Sequence, residues 1–298
     1  MNNSLRHGAA TLSYGVSQIF FQTKVVPGIL ILAAFAVASW QMALLVAIGS
    51  AGSSVGGLLL RVPPGEVRNG HQGFCGALAG AAAFVTVGGG WFGAFVALLG
   101  GLACAPVTWA VVRVLETPRL KSLRLPYTTA PFCIVGGLMY FATVGHHANS
   151  ETGEINESLE KDFFRSILTN ISQVVLVESF VAGGLILLAL FIAHWKVGLA
   201  AVLGSTIQSF MAIFTQRDAV DLSRGLIGYS GVLVAIAMAT VFLKGTWQPW
   251  FMAVVGTLMA GGITVVVEGW SGVFTWPYVL TTWFLLALAH FIPGLKRA

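Results

Sequence analysis

Long apolar runs follow one another along the chain, broken by glycine, proline and small clusters of charge. Ten such runs can be marked, at roughly 25–39, 41–60, 73–90, 91–112, 132–145, 180–194, 197–214, 229–243, 249–267 and 275–292. Several fall short of the ~20 residues that a straight membrane span requires. Short, Gly- or Pro-interrupted runs in corresponding halves of a chain point to broken helices along a substrate path. Between the fifth and sixth runs lies the one clearly polar loop, HHANSETGEINESLEKDF, with four Glu and one Asp against one Lys.

Composition agrees with the pattern. The 298 residues are 56% hydrophobic and 9% charged, where a soluble domain carries about 25% charged residues. An all-α polytopic membrane protein is therefore expected, with ten transmembrane helices and two short re-entrant helices. Its 36 glycines suit helices that pack closely in lipid. Cys75, Cys104 and Cys133 all lie in apolar runs and show no disulfide or metal spacing, so no cofactor is expected. The opening MNNSLRHGAATLSYG does not read as a signal peptide. The net charge of +5 is spread over loops and does not point to nucleic acid. With the N-terminus placed inside, eleven Lys and Arg fall in inner segments and four (Lys161, Arg165, Arg217 and Arg224) in outer ones, with Lys24 ambiguous. The positive-inside rule thus puts both termini in the cytoplasm and the acidic loop outside; the membrane is expected to be a cell inner membrane.

The chain repeats itself. SQIFFQTKVVPGILI at 17–31 matches SQVVLVESFVAGGLI at 172–186, an offset of 155. At that offset Ser17, Gln18, Gly28 and Trp40 meet Ser172, Gln173, Gly183 and Trp195. The offset still holds where GHQGFCGAL (70–78) meets GLIGYSGVL (225–233). By the pair TTAPF and FTWPY it has shortened to 146. Five runs per half is an odd number, so the second half enters from the opposite face, and an inverted repeat is expected. The division reads as 1–147 for the first repeat, 148–163 for the acidic loop and 164–298 for the second repeat.

Each half offers three elements. YGVSQIFFQ (14–22) and TNISQVVLV (169–177) are too short to span and carry a Gln. An interfacial amphipathic turn would account for them. A re-entrant helix with its amide facing a pore is preferred, because a polar amide in lipid calls for a reason. The second element, G-x-x-G-[F/Y]-x-G-x-L, places Phe74 with Leu78, and Tyr229 with Leu233, on one helix face. Plain helix packing or a flat apolar slot would both use it. The third is Thr-x-Pro-aromatic, at Thr129–Phe132 and Thr275–Tyr278. Proline in a first helical turn forfeits no hydrogen bond. Each motif reads as a helix start, either at the interface or inside the membrane with the Thr hydroxyl lining a cavity.

These residues resemble the urea transporter family in its bacterial form. LPYTTAPF is close to the family signature L-P-x-x-T-x-P-F, FTWPY is a weaker second copy, and the paired SQ and aromatic-Gly elements match in order. The resemblance covers nearly the whole chain. It implies a homotrimer in which each subunit passes urea passively through its own pore. Carried over by motif, the slot would use Phe21, Phe74 and Leu78 from the first half and Val174, Leu176, Tyr229 and Leu233 from the second. Gln18 and Gln173 would stand at the mouths, Thr129 and Thr275 at the waist. Cys75 and Ser230 stand where the family often has Asn, and Leu176 and Tyr229 where Phe is common.

Physical chemistry is consistent with this. Urea is planar, neutral and polar, and loses roughly 2–7 kcal/mol for each group left unpaired on entering a pore. Oxygens along a slot replace water, and flat apolar walls exclude hydrated ions. Glu178 and Glu268 are read as lying at segment ends. A channel for ammonia or another small neutral solute is the nearer alternative. The remoter one is an intramembrane serine protease, since GYSG at 228–231 with His290 resembles the rhomboid Ser–His dyad. Against it, the twin of Ser230 is Cys75, so the chain is not expected to be an enzyme.

Overall fold

The computed structural model describes residues 2–147, 159–267 and 269–298, with side chains from Gly8 onward except at Leu159. Most of the acidic loop expected at 148–163, and Glu268, lie outside the described residues. Among the described residues the chain forms fourteen α-helices. The first seven are α1 (Asn2–Ser17), α2 (Val25–Ala38), α3 (Trp40–Leu59), α4 (Pro64–Arg68), α5 (Gly73–Val87), α6 (Gly90–Leu115) and α7 (Ala130–Ala142). The other seven are α8 (Leu159–Gln173), α9 (Phe180–Ala193), α10 (Trp195–Phe214), α11 (Ala219–Arg224), α12 (Tyr229–Ile236), α13 (Gln248–Val266) and α14 (Trp276–Phe291). A π-helical stretch continues α12 to Phe242. Two strands of two residues, β1 (Leu243–Lys244) and β2 (Lys296–Arg297), pair antiparallel.

α3, α6, α10 and α13 are long and apolar enough to cross a membrane. Five more apolar helices, α5, α7, α9, α12 with its π continuation, and α14, are shorter. α2 joins the preceding helix through an 81° bend. Together these are the ten apolar runs of the sequence. Their outer faces carry residues a soluble protein would hide, such as Trp91, Leu59 and Phe214, the last 89% exposed. Lipid is the solvent that accepts such a surface, and helices are the form that satisfies every backbone group within it. The protein is an all-α polytopic membrane protein.

The described residues form two compact units, one of residues 1–114 with 127–150, the other of 115–126 with 151–298. In the first, α3 lies on α5 at backbone distance: a Cβ on Gly49 would strike Gly76 O, and one on Gly76 would strike Gly49 O. In the second, a Cβ on Gly204 would meet Gly231 O at 2.5 Å, the same contact displaced by 155. Small residues buy this closeness, which gives dispersion contact where the hydrophobic effect is absent. The stretch 115–126 is fastened within the second unit. Trp283 Nε1 donates to Pro126 O at 2.7 Å, and the Arg297 guanidinium donates to Leu123 O, Leu286 O and Arg124 O at 3.0, 3.1 and 2.7 Å.

Local geometry repeats at the offsets read from the sequence. α2 and α3 have the bounds of α9 and α10 displaced by 155. Gly70 and Gly225 take φ of 81° and 77°, and a Cβ on either would run into the backbone of Tyr14 or Thr169, again 155 apart. Only glycine combines a left-handed φ with so close an approach. The structure extends one expectation. The nine-residue stretches at 14–22 and 169–177 are the tails of longer helices, α1 of 16 residues and α8 of 15.

Candidate functional site

The tail of α1 tightens into a 3-10 turn at Gln18–Phe20, and the chain reverses at Phe21. The Phe21 N–H donates to Gln18 O at 2.9 Å and the Gln22 N–H to Ser17 O at 3.1 Å. Those two bonds make a Schellman motif, whose reversing residue is left-handed and usually glycine. Here it is Phe21, at φ 61°. In the second unit Leu176 N–H donates to Gln173 O at 3.0 Å, Val177 N–H donates to Ser172 O at 3.2 Å, and Leu176 takes φ 62°. A bulky residue twice occupies a conformation that costs an L-residue roughly 1–2 kcal/mol. Such strain persists only where the surrounding structure over-determines it, and the same turn recurs at Arg61 and Gln216, φ 61° and 54°, also 155 apart. Phe21 and Leu176 are both half-buried.

The glutamines one turn back differ. Gln18 Nε2 donates to Thr23 Oγ1 at 2.7 Å and to Asn69 O at 3.3 Å, so its amide is held from both sides. Gln173 is 7% exposed, and its buried Oε1 accepts no hydrogen bond among the described residues. A buried acceptor left so costs about 1–3 kcal/mol of desolvation. A donor-bearing solute would satisfy it. Val174, beside it, is 1% exposed and packs within the turn.

Phe74 opens α5 and Leu78 lies one turn on, at 9% and 1% exposure. Phe74 stacks on Tyr127 with ring centroids 5.8 Å apart and planes 20° from parallel. Tyr127 Oη donates to His71 O at 2.8 Å, tying the loop before α7 to the start of α5. Sequence reasoning missed Tyr127. Its signal was present, since it lies inside LPYTTAPF two residues before the predicted Thr129. In the second unit the tie runs the other way. Tyr229, at the start of α12, donates its own hydroxyl to Phe274 O at 2.7 Å. Leu233 lies one turn on and is 1% exposed.

Thr128 and Phe274 both have positive φ, 48° and 44°. Each throws the chain into a helix that starts on Thr-x-Pro. Thr129 and Thr275 have φ −90° with ψ 10° and 20°, and neither side chain caps its helix. Their carbonyls accept from Cys133 and Val279 N–H at 2.9 and 3.1 Å. Both threonines are buried, at 3% and 1% exposure. The structure thus gathers Gln18, Phe21, Phe74, Leu78 and Thr129 into one unit and Gln173, Val174, Leu176, Tyr229, Leu233 and Thr275 into the other, on matching elements.

Within the second unit Tyr229 and Pro277 line an open cavity of about 190 Å³, rimmed by Arg217, Asp221 and Trp270. Glu178 lies exposed at the break between α8 and α9, at a segment end as the sequence suggests. It is held by Arg224, which donates through Nε at 2.6 Å and Nη2 at 3.0 Å. The Ser230–His290 dyad is not assembled. Ser230 is 1% exposed and its Oγ has no hydrogen-bond partner among the described residues, whereas His290 is exposed and meets Phe291 edge to face. No cluster of three or more His, Cys, Asp or Glu that could hold a metal is present among the described residues.

The family model described as urea transporter matches residues 9–290. The chain is similar to Urea transporter 1 of Mus musculus, 23% identical over 303 residues that cover 95% of this chain and 77% of the relative. It is 24% identical to Urea transporter 1 of Capra hircus and of Ovis aries, over 300 residues with the same coverage.

Proposed function

The chain belongs to the urea transporter family, and from that premise we propose that it is a passive urea channel whose slot is lined by the paired residues of its two repeats. The observation that carries the slot is the strained turn made twice on a large apolar side chain, where the other such pair 155 apart, Arg61 and Gln216, carries polar ones. Phe21 and Leu176 hold left-handed conformations that glycine would adopt freely, at the same place in each repeat. In this reading their side chains, with Phe74, Leu78, Val174, Tyr229 and Leu233, form flat apolar walls.

Polar atoms supply what urea leaves behind in water. The unpartnered Oε1 of Gln173 accepts a urea N–H, and Gln18 serves the same purpose at the other end. Thr129 and Thr275, whose hydroxyls do not cap their helices, stand at the waist. Each bond replaces one to water, so entry no longer carries the desolvation penalty of an unpaired group. Hydrated ions gain no such replacement from apolar walls. None of the proposed slot residues is ionisable at neutral pH, so flux needs no ion gradient. The cavity before Tyr229 forms the outer approach. We further infer a homotrimer in the inner membrane, from the family alone, with both termini cytoplasmic, an orientation that the charge asymmetry of the loops supports.

Stopped-flow urea efflux from proteoliposomes tests this, with wild type and the Thr129→Val, Thr275→Val double variant. Valine is close in shape to threonine, so the fold should persist. The wild type is expected to pass urea faster than empty liposomes, without a sodium or proton gradient. The double variant should be about tenfold slower, from one neutral hydrogen bond lost at each threonine. Wild-type flux no faster than empty liposomes would remove urea as the solute, and ammonia or another small neutral solute would take its place.

A further inference from the structure

Duplication makes the differences between the repeats informative. In the second repeat α8 and α10 meet through a buried polar cluster. Asn170 Nδ2 donates to Ser205 Oγ at 3.1 Å and to Ser209 Oγ at 3.0 Å, and the Ser166 and Ser209 hydroxyls bond at 2.7 Å. Beyond them the Phe163 and Phe210 rings pack with centroids 4.8 Å apart. At the offset of 155 the first repeat has Gly15 for Asn170, Gly8 for Phe163 and Val55 for Phe210. The amide and both rings are missing there, and a groove of about 430 Å³ opens between α1, α3 and α4.

This groove is mostly apolar, with Thr11 and Ser50 also on its border. Leu12, Ala47, Ala51, Val55 and Leu58 form its walls. Ser54 also faces it but donates its proton back to Ser50 O at 2.9 Å, within α3. From Leu58 to Ala47 the wall runs about 16 Å at the rise of an α-helix. Arg68 of α4 stands at its Leu58 end. Arg68 is exposed and makes no ion pair among the described residues, and Glu66 on the same short helix is not part of the lining.

We infer that the groove holds one acyl chain of an anionic phospholipid, with its headgroup phosphate on Arg68. The groove opens sideways on an apolar helix bundle, where hydrocarbon rather than water is the filling solvent. It runs along about three turns of α3, a length that suits an acyl chain. Among the described residues its one unpaired charge, on Arg68, is positive and sits at one end, where the loop charges place the inner leaflet. A juxtamembrane Arg attracts an anionic headgroup over a zwitterionic one. The second repeat needs no such lipid, because Phe163 and Phe210 fill the same place from within.

Native mass spectrometry of the full-length protein, titrated with phosphatidylglycerol or phosphatidylcholine, tests the inference in three forms. These are the wild type, Arg68→Ala, and Gly8→Phe with Val55→Phe. The last pair copies the filling of the second repeat, and a Cβ at Gly8 meets nothing within 4 Å. Wild type should bind phosphatidylglycerol in preference to phosphatidylcholine. Arg68→Ala should bind phosphatidylglycerol roughly fivefold more weakly and lose the preference. The filled variant should lose the bound lipid of both kinds while its elution profile stays that of wild type. Lipid binding unchanged in the filled variant would overturn the inference. So would a filled variant that keeps its lipid but changes oligomeric state, since the groove would then seat a second copy of the chain. Should the filled variant not fold, a phosphatidylglycerol preference unaltered in Arg68→Ala overturns it alone.

Discussion

Replacing Phe21 separates backbone strain from side-chain function. Phe21 is the reversing residue of the α1 turn, at φ 61°. Phe21→Gly relieves roughly 1–2 kcal/mol of left-handed strain. It also gives up roughly 1 kcal/mol, about half the burial of a full phenyl group, because the ring is half-buried. Glycine adds roughly 0.5–1 kcal/mol of backbone entropy lost on folding. These contributions nearly cancel, so Phe21→Gly should leave stability within about 1 kcal/mol of wild type. Phe21→Ala loses the ring and keeps the strain, and should be the less stable of the two by roughly 0.5–1 kcal/mol. In an ordinary helix the order is reversed. Thermal unfolding in detergent would read the order, and the ratio of urea to N-methylurea flux would read the wall. Both variants should discriminate less well, having lost the same ring. An alanine variant as stable as the glycine one would refute the strain, and undiminished discrimination in both would refute the slot role. Leu176, at φ 62°, should behave alike.

Three further outcomes are expected. Gly70→Ala sets a Cβ against the Tyr14 backbone at φ 81° and should abolish the folded, monodisperse peak in fluorescence-detected size exclusion, whereas Gly8→Ala, with open space around its Cβ, should raise stability by roughly 0.5–1 kcal/mol. Desolvation, and then the nearby Asp218 charge, raise the Asp221 carboxyl above its ordinary range. Its charged form is thus disfavoured in the fold, so stability associated with Asp221 is present at low pH and is lost as pH rises through the raised value. Asp221→Asn should therefore raise the melting temperature at neutral pH, and a melting scan should show that gain vanishing below the carboxylate range. Gln173→Met removes a buried acceptor that lacks a partner. Stability should hold or rise by about 1 kcal/mol while urea flux falls, and a loss of stability together with unchanged flux would assign Gln173 to packing instead.

Glycine and proline marked what the sequence could reveal. Ten apolar runs, the offset of 155 and the Thr-x-Pro helix starts all rest on residue identities that a single chain displays. The structure returns them as matched helix bounds and matched hydrogen bonds. Strain was not legible. A Schellman turn normally announces itself with glycine, so Phe21 and Leu176 gave no sign that the chain reverses on them. Nor was the length of α1 and α8. The polar stretch LEKDF at 159–163 reads as loop, because no apolar run covers it, yet it forms the start of α8. Tyr127 and Tyr229 were visible as residues but not as ties. One reaches His71 O, 56 positions away, and the other Phe274 O, 45 positions away.

Those ties show how each repeat reaches similar geometry by different chemistry. Thr128 and Phe274 occupy matching positions, each with φ near 45°. In the first repeat the Thr128 carbonyl meets, among the described residues, the Cys75 thiol at 3.8 Å. In the second the Phe274 carbonyl receives the Tyr229 hydroxyl at 2.7 Å. A thiol is a weak donor and a phenol a strong one. The second start is therefore the more firmly pinned, and the first leaves a carbonyl beside Thr129 with capacity to spare. The two helix starts therefore differ in acceptor strength. Similar backbones then do not require equal affinity for urea at the two waist threonines, and Thr129→Val alone should slow flux more than Thr275→Val alone.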